Sequence, residues 1–183
     1  MKIEDIFGEL PVLETERMIL RPITMDDVED MYAYASDPEV TRYVTWHAHQ
    51  SIEETKQFIS FLLGKYAEGA VSQWGIEHKE SGRLIGTMGF INWNTKHFKA
   101  EVGYALSREF WNRGYTSEAM EAIINFGWNE MKLVRIEARC MPDNINSARV
   151  MEKVGMKYEG LMRKNLYVKG RFHDAKIYAI VAD

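Results

Sequence analysis

The sequence predicts a single α/β domain with a mixed, mostly antiparallel sheet flanked by helices. Three observations carry this expectation. Short strand-like runs follow one another across connections too brief for a crossover, which implies antiparallel neighbours. A strongly helical segment, with Met120, Ile123, Ile124, Gly127, Trp128 and Met131 on one side, separates two such runs, as in a parallel strand-helix-strand unit. The 183 residues are 46% hydrophobic, enough for one substantial core but short for two, so residues 1–183 are expected as one domain.

In chain order, residues 1–12 are expected as a loose lead-in. Arg17-Met18-Ile19-Leu20-Arg21 alternates and stops at Pro22, which cannot donate to a ladder, so a first strand ends there. Thr24 opens a helix carrying Val28, Met31, Tyr32 and Ala35, and that helix should stop before Pro38 because residues preceding proline avoid the α region. Ser51-Ile52-Glu53-Glu54 reads as a capping box, with Phe58, Ile59, Leu62, Leu63 and Tyr66 as the apolar stripe behind it. Strands follow from about Gln73 to His78, Leu84 to Trp93 and Glu101 to Leu106, the first two joined across Glu80-Ser81-Gly82. After the long helix come a strand from Arg135 to Cys140 and a short helix from about Asn146 to Val154, closed by Gly155. Two last strands flank the turn Val168-Lys169-Gly170-Arg171.

The charge balance narrows the partners. A net charge of −4 gives no basic footprint for nucleic acid. The lone Cys140 cannot form an intramolecular disulfide, and flanked by Arg139 and Met141 inside a strand it reads as a small buried hydrophobe. No signal-type start or membrane-length apolar run is apparent, so a cytoplasmic protein without a membrane partner is expected. His47 and His49 form a His-x-His pair, but no third ligand lies nearby in sequence, and no metal site is expected. Trp46, His47 and Trp93 belong to an acceptor side or to the core.

The chemistry-bearing stretch runs from Leu106 to Ala119: a strand end, a loop with Gly114, and a helix start. Unpaired N–H groups at a helix N-terminus favour phosphate oxygens, and Gly114 lets the backbone approach them. On those residues alone a plainer reading stays open, in which Gly114 only turns the chain and Thr116 or Ser117 caps the helix. The loop lacks the Gly-Lys-Ser/Thr of a Walker motif and the three glycines of a dinucleotide fingerprint.

Trp111-Asn112-Arg113-Gly114-Tyr115-Thr116 resembles the Gln/Arg-x-x-Gly-x-Gly/Ala acetyl-CoA loop of GNAT acetyltransferases. The form Trp-x-x-Gly-Tyr-x-x-Glu-Ala is similar to their ribosomal-protein N-terminal acetyltransferase branch. Glu101-Val102-Gly103-Tyr104 before the loop, and Asn144-Ile145-Asn146-Ser147 with Val150-Met151-Glu152-Lys153-Val154-Gly155-Met156 after it, extend the likeness over about Glu14 to Val181. There are two departures. Thr116 stands where the motif has Gly or Ala, and Met151 stands where many members carry a general-acid tyrosine.

The resemblance implies a GNAT-type fold binding acetyl-CoA at the central strand-loop-helix, and direct acetyl transfer to an amine without a covalent enzyme intermediate. It implies coenzyme contacts from Leu106, Ser107, Trp111, Asn112, Arg113, Gly114, Tyr115, Thr116, Ser117, Asn144 and Ser147. Leu106 and Ser107 would supply main-chain donors to the oxyanion, Asn144 would pair with pantetheine amides, and Ser147 would meet the sulfur as acid. Ser147 could equally be a helix-start cap. Glu101 is the candidate base, sharing a strand face with Gly103 and Ala105; the alternative is a carboxylate paired with Arg139. Gly170 and Asp174 match the closing hairpin of the branch. The acceptor is expected to be a peptide or protein N-terminus, with a polyamine, amino acid or aminoglycoside as the alternative. A non-catalytic acyl-CoA sensor, suggested by Met151, and a structural subunit stand further off. An exposed strand or the Gly170 hairpin would be the place for a homodimer contact.

Overall fold

In a computed structural model, residues 2–182 are described. They form an eight-stranded sheet with helices on both faces. The strands are β1 (Leu13–Glu14), β2 (Met18–Arg21), β3 (Gln73–His78), β4 (Leu84–Asn94), β5 (Lys99–Leu106), β6 (Arg135–Cys140), β7 (Lys157–Val168) and β8 (Arg171–Val181). Their spatial order is β1-β2-β3-β4-β5-β6-β8-β7. All neighbours are antiparallel except β5 and β6, which are parallel as the intervening helix requires. The helices are α1 (Glu4–Phe7), α2 (Val28–Ala35), α3 (Pro38–Thr41), α4 (Ile52–Ala67), α5 (Tyr115–Asn129) and α6 (Ile145–Lys153).

The local signals explain most of these boundaries. Thr24 and Asp27 make a reciprocal capping box ahead of α2. The Ser51 hydroxyl accepts from the Glu54 N–H ahead of α4, while the Glu54 carboxylate reaches back to the Gln50 N–H. Between β7 and β8, Lys169 and Gly170 both have positive φ, 51° and 81°, as a two-residue hairpin turn demands. Asp174 accepts from the Lys164 N–H and so holds the irregularity where three β7 residues face one on β8.

Leu84–Phe90 of β4 is buried throughout because both faces are covered. One core joins Trp74, Met88 and Phe90 to Met120, Ile123 and Ile124 of α5; the other joins Ile23 and Leu84 to Met31, Ile59 and Leu62 of α2 and α4. Met151 is fully buried in the first of these cores, as is Cys140, whose thiol is pushed up by burial.

The lead-in corrects the sequence reading. Residues 4–7 form the α1 turn, and Phe7 is only 1% exposed, its ring 6.1 Å from that of Trp74 and 6.0 Å from that of Trp93. Trp74 Nε1 donates to the Pro11 carbonyl at 2.6 Å. The segment is an anchored flap over the open side of the first core. Helix α3, with Asp37 accepting from the Glu39 N–H, was also not anticipated, because Pro38 serves as its first residue.

Candidate active site

The site follows from where the sheet comes apart. β5 pairs with β6 only from Lys99 to Glu101, against Arg135 to Glu137, and beyond that the strands part. On its other edge β5 stays paired with β4 as far as Leu106. The Ser107 N–H donates to the Ile85 carbonyl at 2.7 Å, which makes Gly86 and Leu106 a pair that does not exchange hydrogen bonds. The main-chain groups of Leu106, and by alternation those of Tyr104, therefore face the gap. The Leu106 carbonyl is taken by Trp111 Nε1 at 2.8 Å; its N–H points into the opening.

The gap widens into a cleft of about 480 Å³. Its walls come from β5 (Tyr104, Ala105, Leu106), the loop into α5, and the start of α6 (Asn144, Ser147), with α3 and Tyr43 at the far side. Gly114 is the N-cap of α5, with φ of 81° and no side-chain cap bond. The first-turn N–H groups of α5 thus lack a capping side chain, and Thr116 and Ser117, lying inside the helix, do not cap it. Positive charge gathers there. A Cβ built on Gly114 would lie 3.4 Å from Arg17 Nη2 and 3.6 Å from Lys153 Nζ, so two cations flank the helix start.

Arg17 is fixed by structure rather than by ligand. Its Nε donates to Glu118 at 2.7 Å, its Nη1 donates to the Arg113 carbonyl at 3.0 Å, and its guanidinium lies 4.0 Å above the Tyr115 ring centre. Burial alone would raise the Glu118 carboxyl, but hydrogen bonds from Thr15 and Arg17 outweigh it and hold the group below its ordinary range. Neither Arg17 nor Lys153 was anticipated from the sequence. Arg17 lies 101 residues from Glu118, and nothing in a single chain marks that proximity.

Of the expected coenzyme residues, Leu106, Trp111, Asn112, Gly114, Thr116, Ser117, Asn144 and Ser147 line the cleft. Three do not. Ser107 stands outside it, with its N–H already bonded to Ile85. Arg113 is exposed and contributes its carbonyl to Arg17. The Tyr115 side chain turns into the core against Phe110, its hydroxyl 3.0 Å from His78 Nε2. Of the two main-chain N–H groups expected as donors, at Leu106 and Ser107, only that of Leu106 faces the opening.

Asn144 Oδ1 accepts from the Ser147 N–H, capping α6. Ser147 Oγ lies 2.6 Å from the Tyr104 hydroxyl, so Ser147 is capped rather than capping. The Tyr104 hydroxyl is raised well above the usual tyrosine range by burial, partly offset by its bond to Ser147. Glu101 is outside the cleft lining, and its side chain, only 12% exposed, is paired with Arg139, which also holds Asn165 at 3.0 Å. This is the paired-carboxylate alternative. His49 Nδ1 bonds the Thr55 hydroxyl at 2.8 Å and its ring packs between Trp46 and Phe58. Lys169 at the hairpin tip donates to the Thr41 carbonyl, tying the β7–β8 turn to the helix that walls the cleft. No helix among the described residues is long and apolar enough to cross a membrane.

A mixed sheet that splays at its one parallel pair, with a glycine-capped helix at the opening, is the architecture that the resemblance to GNAT acetyltransferases implies. The comparisons agree. Residues 17–157 match the acetyltransferase (GNAT) domain family. An uncharacterized N-acetyltransferase of Bacillus subtilis (strain 168), YoaA, is 39% identical over 93% of this chain and 97% of its own. The crystal structure of a GNAT-family acetyltransferase from Bacillus anthracis superposes with a TM-score of 0.83 at 31% identity, covering 93% of this chain and 98% of that one. A RimL ribosomal alpha-N-protein acetyltransferase, solved in complex with coenzyme A, shares the fold with a TM-score of 0.82 at 20% identity, over 93% and 98% of the two chains. The chain belongs to the GNAT acetyltransferase family and is an N-acetyltransferase.

Proposed function

We propose that this enzyme takes an acetyl group from acetyl-CoA and transfers it directly to the α-amino group of a peptide or protein N-terminus. The observation that carries the reading is the splay, whose unpaired β5 edge ends beside an uncapped helix N-terminus flanked by Arg17 and Lys153. A pantetheine arm has amides that suit the free main-chain groups of Tyr104, and a pyrophosphate suits the α5 start. The coenzyme supplies an activated thioester. The Leu106 N–H is the donor to the developing oxyanion, Asn144 holds the arm, and Ser147 is the donor to the departing sulfur. Glu101 and Arg139 hold each other outside the cleft lining, so the amine loses its proton to water rather than to a free carboxylate. The N-terminal acceptor is supported by RimL, an alpha-N-protein acetyltransferase of the same fold.

Mass spectrometry of peptides with Ser, Ala or Thr N-termini, incubated with acetyl-CoA beside polyamines and aminoglycosides, tests the reading. Acetylation at the peptide α-amine is expected. Acetylation of the small amines alone would replace the acceptor, and acetyl-CoA binding without transfer to any amine would replace the enzyme with a sensor.

A further inference from the structure

Transfer leaves a thiolate that must be met by a proton donor, and the family's usual tyrosine position is Met151, fully buried and without a proton to give. Two hydroxyls do line the cleft within hydrogen-bond reach of each other: Ser147 Oγ and the Tyr104 hydroxyl, 2.6 Å apart. A pair of hydroxyls at this distance shares one of its two protons and leaves the other free to point elsewhere. Which proton is shared decides what Ser147 can do. If serine donates to tyrosine, its hydrogen is spent; if tyrosine donates to serine, the serine hydrogen is free for the cleft.

We infer that Tyr104 is a positioning residue for acetyl transfer: its hydroxyl donates to Ser147 Oγ, which frees the Ser147 proton to hydrogen-bond the departing sulfur. The inference rests on the acetyl-CoA reading above. Three features of the fold support it. Tyr104 stands on the stretch of β5 that has left β6, so strand pairing fixes its backbone on one edge while its side chain reaches α6. Ser147 is held from its other side by the Asn144 cap, which leaves little freedom for the pair to drift apart. Burial disfavours a tyrosinate, so Tyr104 keeps a proton that it can donate throughout the cycle. A hydroxyl that accepts one hydrogen bond donates a stronger one, so Tyr104 also makes Ser147 a better donor.

The balance of the step is simple. The amine nitrogen bonds the acetyl carbon, the carbon–sulfur bond breaks with its electron pair left on sulfur, and the proton that nitrogen gives to water is matched by one from water that ends on sulfur. Tyr104 and Ser147 each finish with the proton they began with.

The test is steady-state kinetics of Tyr104→Phe, Ser147→Ala and the double variant, with acetyl-CoA and a peptide bearing an N-terminal serine, alongside melting curves. Tyr104→Phe should lower kcat about tenfold with KM for acetyl-CoA unchanged within about twofold, since only the transition state is affected. In the Ser147→Ala background the same change should cost less than about twofold, because the two hydroxyls act as one unit. An acetyl thioester of a more acidic thiol should recover most of the lost rate in either single variant. Tyr104→Met removes the hydroxyl a second way should phenylalanine leave the protein unfolded. Equal losses in the two backgrounds, a loss confined to KM, or no loss at all would overturn the role of Tyr104. A wild-type enzyme that transfers no acetyl to the peptide would instead overturn the reading beneath it.

Discussion

Gly114→Ala separates the cost of folding from the cost of binding. At φ of 81° an alanine pays the left-handed penalty of about 1–2 kcal/mol. Its Cβ would lie 3.4 Å from Arg17 Nη2 and 3.6 Å from Lys153 Nζ, ordinary contacts with the ends of flexible chains, so no further clash adds to that. For a chain of this size about 1–2 kcal/mol lowers the melting temperature by roughly 2–8 °C. Binding suffers differently. The methyl group occupies the approach to the α5 first-turn N–H groups, and losing one hydrogen bond to a charged group costs about 1.5–3 kcal/mol. Calorimetric titration with coenzyme A should therefore show a Kd weaker by roughly 10- to 100-fold in a protein that is still folded at 25 °C. An unchanged Kd, alongside the expected drop in melting temperature, would refute the assignment of the α5 N-terminus to the pyrophosphate.

Phe7→Ala should destabilise the protein by about 3–5 kcal/mol in urea unfolding, because a ring buried against Trp74 and Trp93 leaves a cavity; a loose lead-in would lose less than about 0.5 kcal/mol. Asp27 should confer acid-sensitive stability. Burial would raise its carboxyl, but hydrogen bonds from Arg21 and the Thr24 N–H outweigh that and hold its pKa below the ordinary value. A depressed native pKa means the contribution is present above the unfolded carboxyl's pKa and lost as pH falls through the native one. The stability gap between wild type and Asp27→Asn should thus be a few kcal/mol at neutral pH and vanish in strong acid, read from urea midpoints across pH. Glu101→Gln should lower kcat by less than tenfold, because the carboxylate is engaged with Arg139; a general base would cost about 100-fold or more in the same assay.

Much of the fold was legible because it is written in local signals. Thr24, Ser51 and Gly155 mark helix ends by chemistry that needs no distant partner, and strand-like runs with short connections located β3 to β6 within a few residues. The lead-in was misjudged because Phe7 and Leu10 follow no period; their burial depends on Trp74 and Trp93 waiting on strands far along the chain. The site was legible in part for the same reason. Gly114 marks the turn into α5 in sequence, whereas the engagement of Ser107 with Ile85, the turn of Tyr115 into the core and the pairing of Glu101 with Arg139 are decided by tertiary packing. Tyr104 was in view only as part of a motif, since its partner lies 43 residues on.

The most direct test of the account is a single assay: release of the coenzyme A thiol from acetyl-CoA, followed with and without a peptide bearing an N-terminal serine. The account predicts release that depends on the peptide and falls sharply in Ser147→Ala. Tight acetyl-CoA binding with no amine-dependent release, across peptides and small amines alike, would contradict it.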